Sequence, residues 1–291
     1  MPEHPAAGQL TFRYSDTVLI NYETTGAGTR PIVFIHGFAA SLAVWHDIRP
    51  LLPAARCRCY FLDLKGFGRS SKPRDGAYEP ADQAAIIAAF LEKQGLRDAI
   101  LVGHSLGGAV ALTTLLEERS AGAGKRIGGL VLIDPVAYPQ QLPPVLRVLA
   151  MPLVGWVILH LLPVSFMVRF SLKSIFHVTA AVTPERVKRY VDSFDRKGLA
   201  YGLMETCRRC MTGNYDRFLA AYGKISVPVL MIWGRYDPII PVEDGLRLNR
   251  DIPGSRLVVI DECGHNPHEE KAAETCAAMT DFLAHFFSAA D

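Results

Sequence analysis

An apolar run, Ala99-Ile100-Leu101-Val102, stops at Gly103-His104-Ser105-Leu106-Gly107-Gly108 and gives way to the helix-forming Ala109-Val110-Ala111-Leu112. Its continuous apolar character predicts a buried strand, so the chain must turn sharply from strand into helix with Ser105 at the apex. A residue at such an apex is held in a strained backbone conformation, and it fits only where the residues two before and two after it have almost no side chain. Gly103 and Gly107 meet that requirement. The turn lifts the Ser105 hydroxyl off the sheet edge and leaves the Leu106 N–H at the positive end of a helix. Chance alone produces a Gly-x-Ser-x-Gly in roughly one chain in ten of this length. The pattern therefore needs partners, because serine is a poor nucleophile unless a histidine oriented by a carboxylate removes its proton.

Both partners occur downstream. Val229-Leu230-Met231-Ile232-Trp233 reads as a short buried strand and leads into Gly234-Arg235-Tyr236-Asp237. Arg256-Leu257-Val258-Val259-Ile260 reads as another and leads into Asp261-Glu262-Cys263-Gly264-His265. The order Ser105, Asp237, His265 is the one expected when nucleophile, acid and base hang from the carboxyl ends of neighbouring strands in one sheet.

With these motifs in place, the chain resembles the alpha/beta-hydrolases of the Ser-Asp-His type that carry a lid. Phe34-Ile35-His36-Gly37-Phe38 resembles that family's oxyanion loop, and Asp63-Leu64-Lys65-Gly66-Phe67-Gly68-Arg69-Ser70 its glycine-rich turn. The likeness spans about residues 10 to 288 apart from the middle. It implies an α/β fold with a mostly parallel central sheet flanked by helices. It also implies an oxyanion site made by the backbone N–H groups of Phe38 and Leu106, with Asp63 and Arg69 holding the glycine-rich turn. Asp134 is the rival acid, since it too follows a strand; as a helix cap it has a structural reading. His268 competes with His265 and is expected to hydrogen-bond locally, His104 to be a satisfied core residue, and His36 to brace the oxyanion loop.

At 291 residues, with 49% hydrophobic and 21% charged, the chain can bury a large core. Buried strands at Ile32–Ile35, Cys57–Leu62, Ala99–Val102 and Leu130–Ile133 alternate with helical patterns at Leu42–Leu52, Ala81–Gln94 and Ala109–Glu118, which predicts a mostly parallel sheet. Alternation breaks after Asp134-Pro135 and resumes near Lys224. Residues 1–136 and 214–291 are thus expected to form the core and residues 137–213 an inserted helical lid. Within it, the 21 residues Val148–Val168 carry no Asp, Glu, Lys or Arg. That length matches a bilayer span. Pro152 and Pro163 interrupt it, however, and a single crossing would part Ser105 from Asp237 and His265.

The net charge of +2 gives no basis for a nucleic-acid partner, and Met1-Pro2-Glu3-His4-Pro5 shows no secretory pattern. Six cysteines in a chain this long read as reduced thiols of a cytoplasmic protein, with Cys207 and Cys210 two positions on one helix. No cofactor and no metal is expected. The lid holds ten basic against four acidic residues and many apolar ones, which points to peripheral contact with an anionic membrane surface. Phe38, Met151, Trp156, Phe166, Met167 and Phe170 are the expected lining of a pocket for a small hydrophobic substrate. A serine nucleophile disfavours the epoxide and haloalkane chemistry for which related enzymes use a carboxylate at this position. The expected reaction is cleavage of an ester of a lipophilic acid or alcohol. The alternatives are carbon–carbon hydrolysis of vinylogous diketones from aromatic degradation, and a ligand receptor that retains the triad.

Overall fold

The computed structural model describes residues 9–122, 126–141, 143–210 and 215–288. Eight strands form one sheet: β1 (Leu10–Arg13), β2 (Leu19–Thr25), β3 (Arg30–Ile35), β4 (Cys57–Leu62), β5 (Ala99–His104), β6 (Ile127–Ile133), β7 (Val229–Gly234) and β8 (Arg256–Ile260). Their order across the sheet is β1-β2-β4-β3-β5-β6-β7-β8. The first two pairings, β1 with β2 and β2 with β4, are antiparallel; every later one is parallel. The expected mostly parallel α/β sheet is what the chain forms.

Both faces of the sheet are covered, which is why its central strands are apolar at consecutive positions. Val33, Ile35, Leu101, Leu130, Leu132 and Met231 point to one side, where helices α1 (Pro80–Lys93) and α2 (Leu106–Ser120) pack. Ile32, Phe34, Ile100, Val102, Val131, Ile133 and Ile232 point to the other, against Trp45 and against Cys276, Met279 and Leu283 of the C-terminal helix. The expected helix over Leu42–Leu52 is instead two short 3-10 turns, Leu42–Trp45 and Arg49–Leu51. Pro50 lacks an N–H and disfavours helical geometry at the residue before it, which ends a continuous helix there.

Between β6 and β7 run α3 (Pro144–Ala150), α4 (Pro152–Leu161), α5 (Val164–Ile175), α6 (Pro184–Ser193), α7 (Leu199–Arg209) and α8 (Tyr215–Tyr222). Prolines sit in the first turns of α3, α4 and α6, where the ring is tolerated, and Pro152 of α4 with Pro163 just before α5 divides the apolar run. The expected end of the insertion at residue 213 lies outside the described residues. No single described helix is long and apolar enough to cross a membrane, and α3 and α4 meet at a bend of 102°. After β7 come α9 (Val242–Asp251), α10 (Pro267–Glu270) and α11 (Ala272–Ser288).

Candidate active site

Strands β5, β6, β7 and β8 are consecutive across the sheet, so the residues just past their carboxyl ends become neighbours. Ser105, after β5, has φ 53° and ψ −117°, a left-handed conformation costly for any residue with a side chain. Two glycines make it attainable. A Cβ at Gly103 would lie 2.4 Å from the Gly107 carbonyl oxygen, and one at Gly107 would lie 2.2 Å from that of Ile35. The steric requirement read from the sequence is therefore a backbone-to-backbone one.

His265 links the other two residues. Its Nε2 lies 3.0 Å from Ser105 Oγ and its Nδ1 lies 2.6 Å from Asp237 Oδ2. The tautomer that satisfies both bonds donates Nδ1–H to the carboxylate and accepts the Ser105 hydroxyl at Nε2. The second oxygen of Asp237 accepts the N–H groups of Ile239 and Ile240, at 2.7 and 3.0 Å. Burial alone would push the Asp237 carboxyl up; the charge and hydrogen bond of His265, with those two N–H groups, outweigh it and hold the carboxyl below its usual range. The carboxylate is thus an anion at neutral pH, pointed at the imidazole.

Asp134, the rival acid, follows β6 between the serine and acid strands. It caps no helix: fully buried, its Oδ1 accepts the N–H of Gly234 at 3.0 Å. Its carboxyl, that of Asp237 and the His265 ring have donor atoms within 4.8 Å of one another, the one such grouping among the described residues that could reach a common ion. The hydrogen bonds of His265 to Asp237 and Ser105 already engage both its nitrogens. Burial first, and then the charge of Asp237, push the Asp134 carboxyl well above the ordinary range. The folded chain therefore holds a proton here that the unfolded chain releases. This contribution to stability is present below the ordinary carboxylate pKa and is lost as pH rises through the raised folded value. Relative to the parent, Asp134→Asn is expected to gain about 1.4 kcal/mol per pH unit across that window. Urea unfolding at a series of pH values above 4 measures it, and a pH-independent difference would contradict a neutral Asp134.

Three further histidines surround the site. His36 accepts the Leu64 N–H at Nε2 (3.0 Å) and donates from Nδ1 to the Gly37 carbonyl (2.7 Å), which braces the loop carrying Phe38, as expected. His104 donates from Nε2 to the carbonyl of His265 at 2.9 Å, while its Nδ1 has no partner among the described residues. Burial, helped by the charge of His265, pulls its pKa down to about 3. His268 departs from expectation: among the described residues it makes no local hydrogen bond, and neither ring nitrogen has a partner. It packs between the rings of Trp45 and His104, 4.7 and 4.4 Å away, and burial keeps it neutral. Two neutral rings thus stand behind His265.

The backbone of Gly37 passes so near the serine that a Cβ there would sit 3.1 Å from Ser105 Cβ. This places the Gly37–Phe38 segment beside Ser105, and Leu106 is the first residue of α2. The Phe38 ring is half-buried and packs edge-on against Phe67. Asp63 holds the glycine-rich turn by accepting the N–H groups of Leu42 and Arg69 and the Asn21 amide. Arg69 enters that turn through its backbone, while its guanidinium reaches Gln9.

The insertion residues expected to line a pocket differ in how far they are covered. Met151, Trp156, Phe166 and Phe170 are each more than half exposed, and Met167 is half-buried. An apolar run reveals that a segment avoids water but not whether its own fold covers it; here α4 buries only Gly155 fully, with Ile158 and Leu159 half-buried. Two supports of the base were not legible in the sequence. The His265 N–H donates to the carbonyl of Ile175, the last residue of α5, at 2.9 Å. The carboxylate of Glu270 accepts the N–H groups of Gly264, Asn266 and His177. None of the six cysteines is joined in a disulfide among the described residues, and Cys207 and Cys210 share the end of α7, with burial pushing both thiols up.

A model of the alpha/beta hydrolase fold matches residues 30–272. The chain is 27% identical over 270 residues to an uncharacterized hydrolase, YugF, of Bacillus subtilis, covering 92% of this chain and 95% of that one. It is also 27% identical over 275 residues to a 2-hydroxy-6-oxononadienedioate/2-hydroxy-6-oxononatrienedioate hydrolase of Paraburkholderia phymatum, covering 91% and 90%. Among solved structures, a thermophilic esterase from Thermogutta terrifontis superposes with a TM-score of 0.76 at 24% identity, over 96% of this chain and 99% of that one. That last likeness is one of fold.

Proposed function

Since the chain belongs to the alpha/beta hydrolase fold family, we propose that it is a serine hydrolase that cleaves a carboxylic ester of a lipophilic acid or alcohol through an acyl-enzyme. The observation that carries the reading is the unbroken relay from Asp237 through both nitrogens of His265 to Ser105 Oγ. Ser105 Oγ attacks the carbonyl carbon while His265 Nε2 takes its proton. The imidazolium that forms faces an ionised Asp237, and the neutral His104 and His268 behind it add no opposing charge. The proton then goes to the departing alkoxide, and a water molecule repeats the sequence on the acyl-enzyme. The N–H groups of Phe38 and Leu106 are the donors for the tetrahedral oxyanion, each contributing about 3 to 4 kcal/mol to the transition state.

Carbon–carbon hydrolysis is the second reading, favoured by the similarity to the dienedioate hydrolase. A dicarboxylate substrate needs cations to meet it. In the insertion, Arg186 is paired with Asp47 and Glu269, Arg189 with Asp47, and Arg208 and Arg209 with Glu205. These four arginines are thus already committed to acids of the chain, which favours the neutral, lipophilic ester unless a dicarboxylate meets other cations. A series of p-nitrophenyl esters of increasing acyl length, run beside a vinylogous 1,5-diketone dienoate, separates the two. The ester reading expects turnover that rises with acyl length. A dienoate kcat/KM more than about tenfold above the best ester would transfer the assignment to carbon–carbon cleavage; a protein that turns over neither and resists a fluorophosphonate would be a receptor.

A further inference from the structure

Helices α4 and α5 carry an apolar and basic face that the other described residues leave uncovered. On α4, Gly155 is the one buried residue, packed so close to α3 that a Cβ would lie 2.2 Å from the Leu149 carbonyl oxygen. Leu153 and Leu161 are 74% and 75% exposed, and Trp156 is 53% exposed. On α5, Phe166, Arg169, Phe170 and Lys173 recur at three- and four-residue spacing and are all exposed, so they share one side of the helix. The two phenylalanine rings stack 6.5 Å apart. Leu172 points the other way, into the core. Single exposed apolar side chains are ordinary on a protein surface, but two successive helices bearing this many are not.

Charge selects the occupant of this face. From Asp134 to Glu185 the chain has no acidic residue in between, and its basic residues there are Arg147, Arg169 and Lys173, all exposed. Arg169 and Lys173 have no ion-pair partner among the described residues, unlike the paired arginines of α6 and α7. A second copy of the chain, meeting this face through a two-fold axis, would set those cations against their own kind with no acid in the patch to offset them. A surface of anionic lipid offers both an apolar interior and negative headgroups.

We propose that α4 and α5 dock this protein peripherally on an anionic lipid bilayer. Leu153, Trp156, Leu161, Phe166 and Phe170 enter the boundary between headgroups and acyl chains, and Arg147, Arg169 and Lys173 meet lipid phosphates. The 102° bend between α3 and α4 suits a segment that lies along the interface. Docking goes beyond the ester reading and does not depend on it, since binding is read without turnover.

The test uses the full chain with phosphatidylcholine vesicles and with vesicles containing phosphatidylglycerol, at low salt. Trp45 and Trp233 are fully buried, so quenching by brominated lipid reports on Trp156. The expected result is quenching together with binding about tenfold or more tighter to the anionic vesicles. The pair Arg169→Glu and Lys173→Glu is expected to abolish that preference, and Leu153→Ser with Leu161→Ser to weaken binding to both vesicles about tenfold or more. Fluorophosphonate labelling of Ser105 in every variant checks that the site is still folded; where the leucine pair does not label, the charge-reversed pair decides. Equal sedimentation with the two vesicles, or preference unchanged by charge reversal, would overturn the proposal. So would a dimer that the leucine substitutions dissociate, because the face would then belong to a second copy.

Discussion

Ser105→Ala is expected to lower ester turnover about 10⁶-fold and to abolish fluorophosphonate labelling, with unfolding curves close to the parent's. The size of the loss follows from the relay: without Oγ, His265 and Asp237 have no nucleophile to activate, and only the oxyanion donors and substrate binding remain. Stability is spared because the hydroxyl's side-chain bond is the one to His265 Nε2. Alanine tolerates the φ of 53° no worse than serine does. Labelling that persisted at another serine, found by mass spectrometry of the tryptic digest, would remove Ser105 from the reaction.

Asp237→Asn is expected to cost about 10⁴-fold in kcat. The amide can present an N–H to Nδ1, which turns the imidazole into the tautomer that has a proton at Nε2 and cannot accept one from Ser105. It also leaves the imidazolium without its counter-charge. Asp134→Asn is the matched control, since a neutral carboxyl is replaced by an amide of the same shape that still accepts the Gly234 N–H. Its expected loss is below about tenfold, far from the loss at the acid position. If the two losses were exchanged, the acid would belong to the strand before.

The sheet was legible because strands covered on both faces must be apolar at consecutive positions, and β7 and the Ala99–Val102 stretch of β5 show this plainly. The serine turn was legible because its steric demand falls on glycine alone. Asp237 and His265 could be placed because each follows such a strand directly. What escaped was set by tertiary neighbours. The sequence of α4 is that of a core helix, and only its packing, with Gly155 its one buried residue, shows that Leu153 and Leu161 face out. His268 has no hydrogen-bond partner among the described residues because Trp45 and His104 close over it, and no local pattern announces that. The helix expected over Leu42–Leu52 failed on a local rule, the effect of Pro50.

The hydrogen bond from His265 to the carbonyl of Ile175 bears on how this protein can be re-engineered. The base loop leans on the end of α5 so closely that a Cβ at Gly264 would lie 2.3 Å from that same carbonyl oxygen. The insertion is therefore not a detachable module. A chimera that grafts a foreign helical segment between β6 and β7 must reproduce a carbonyl at the place of Ile175, or the imidazole loses a foothold that the sheet does not supply.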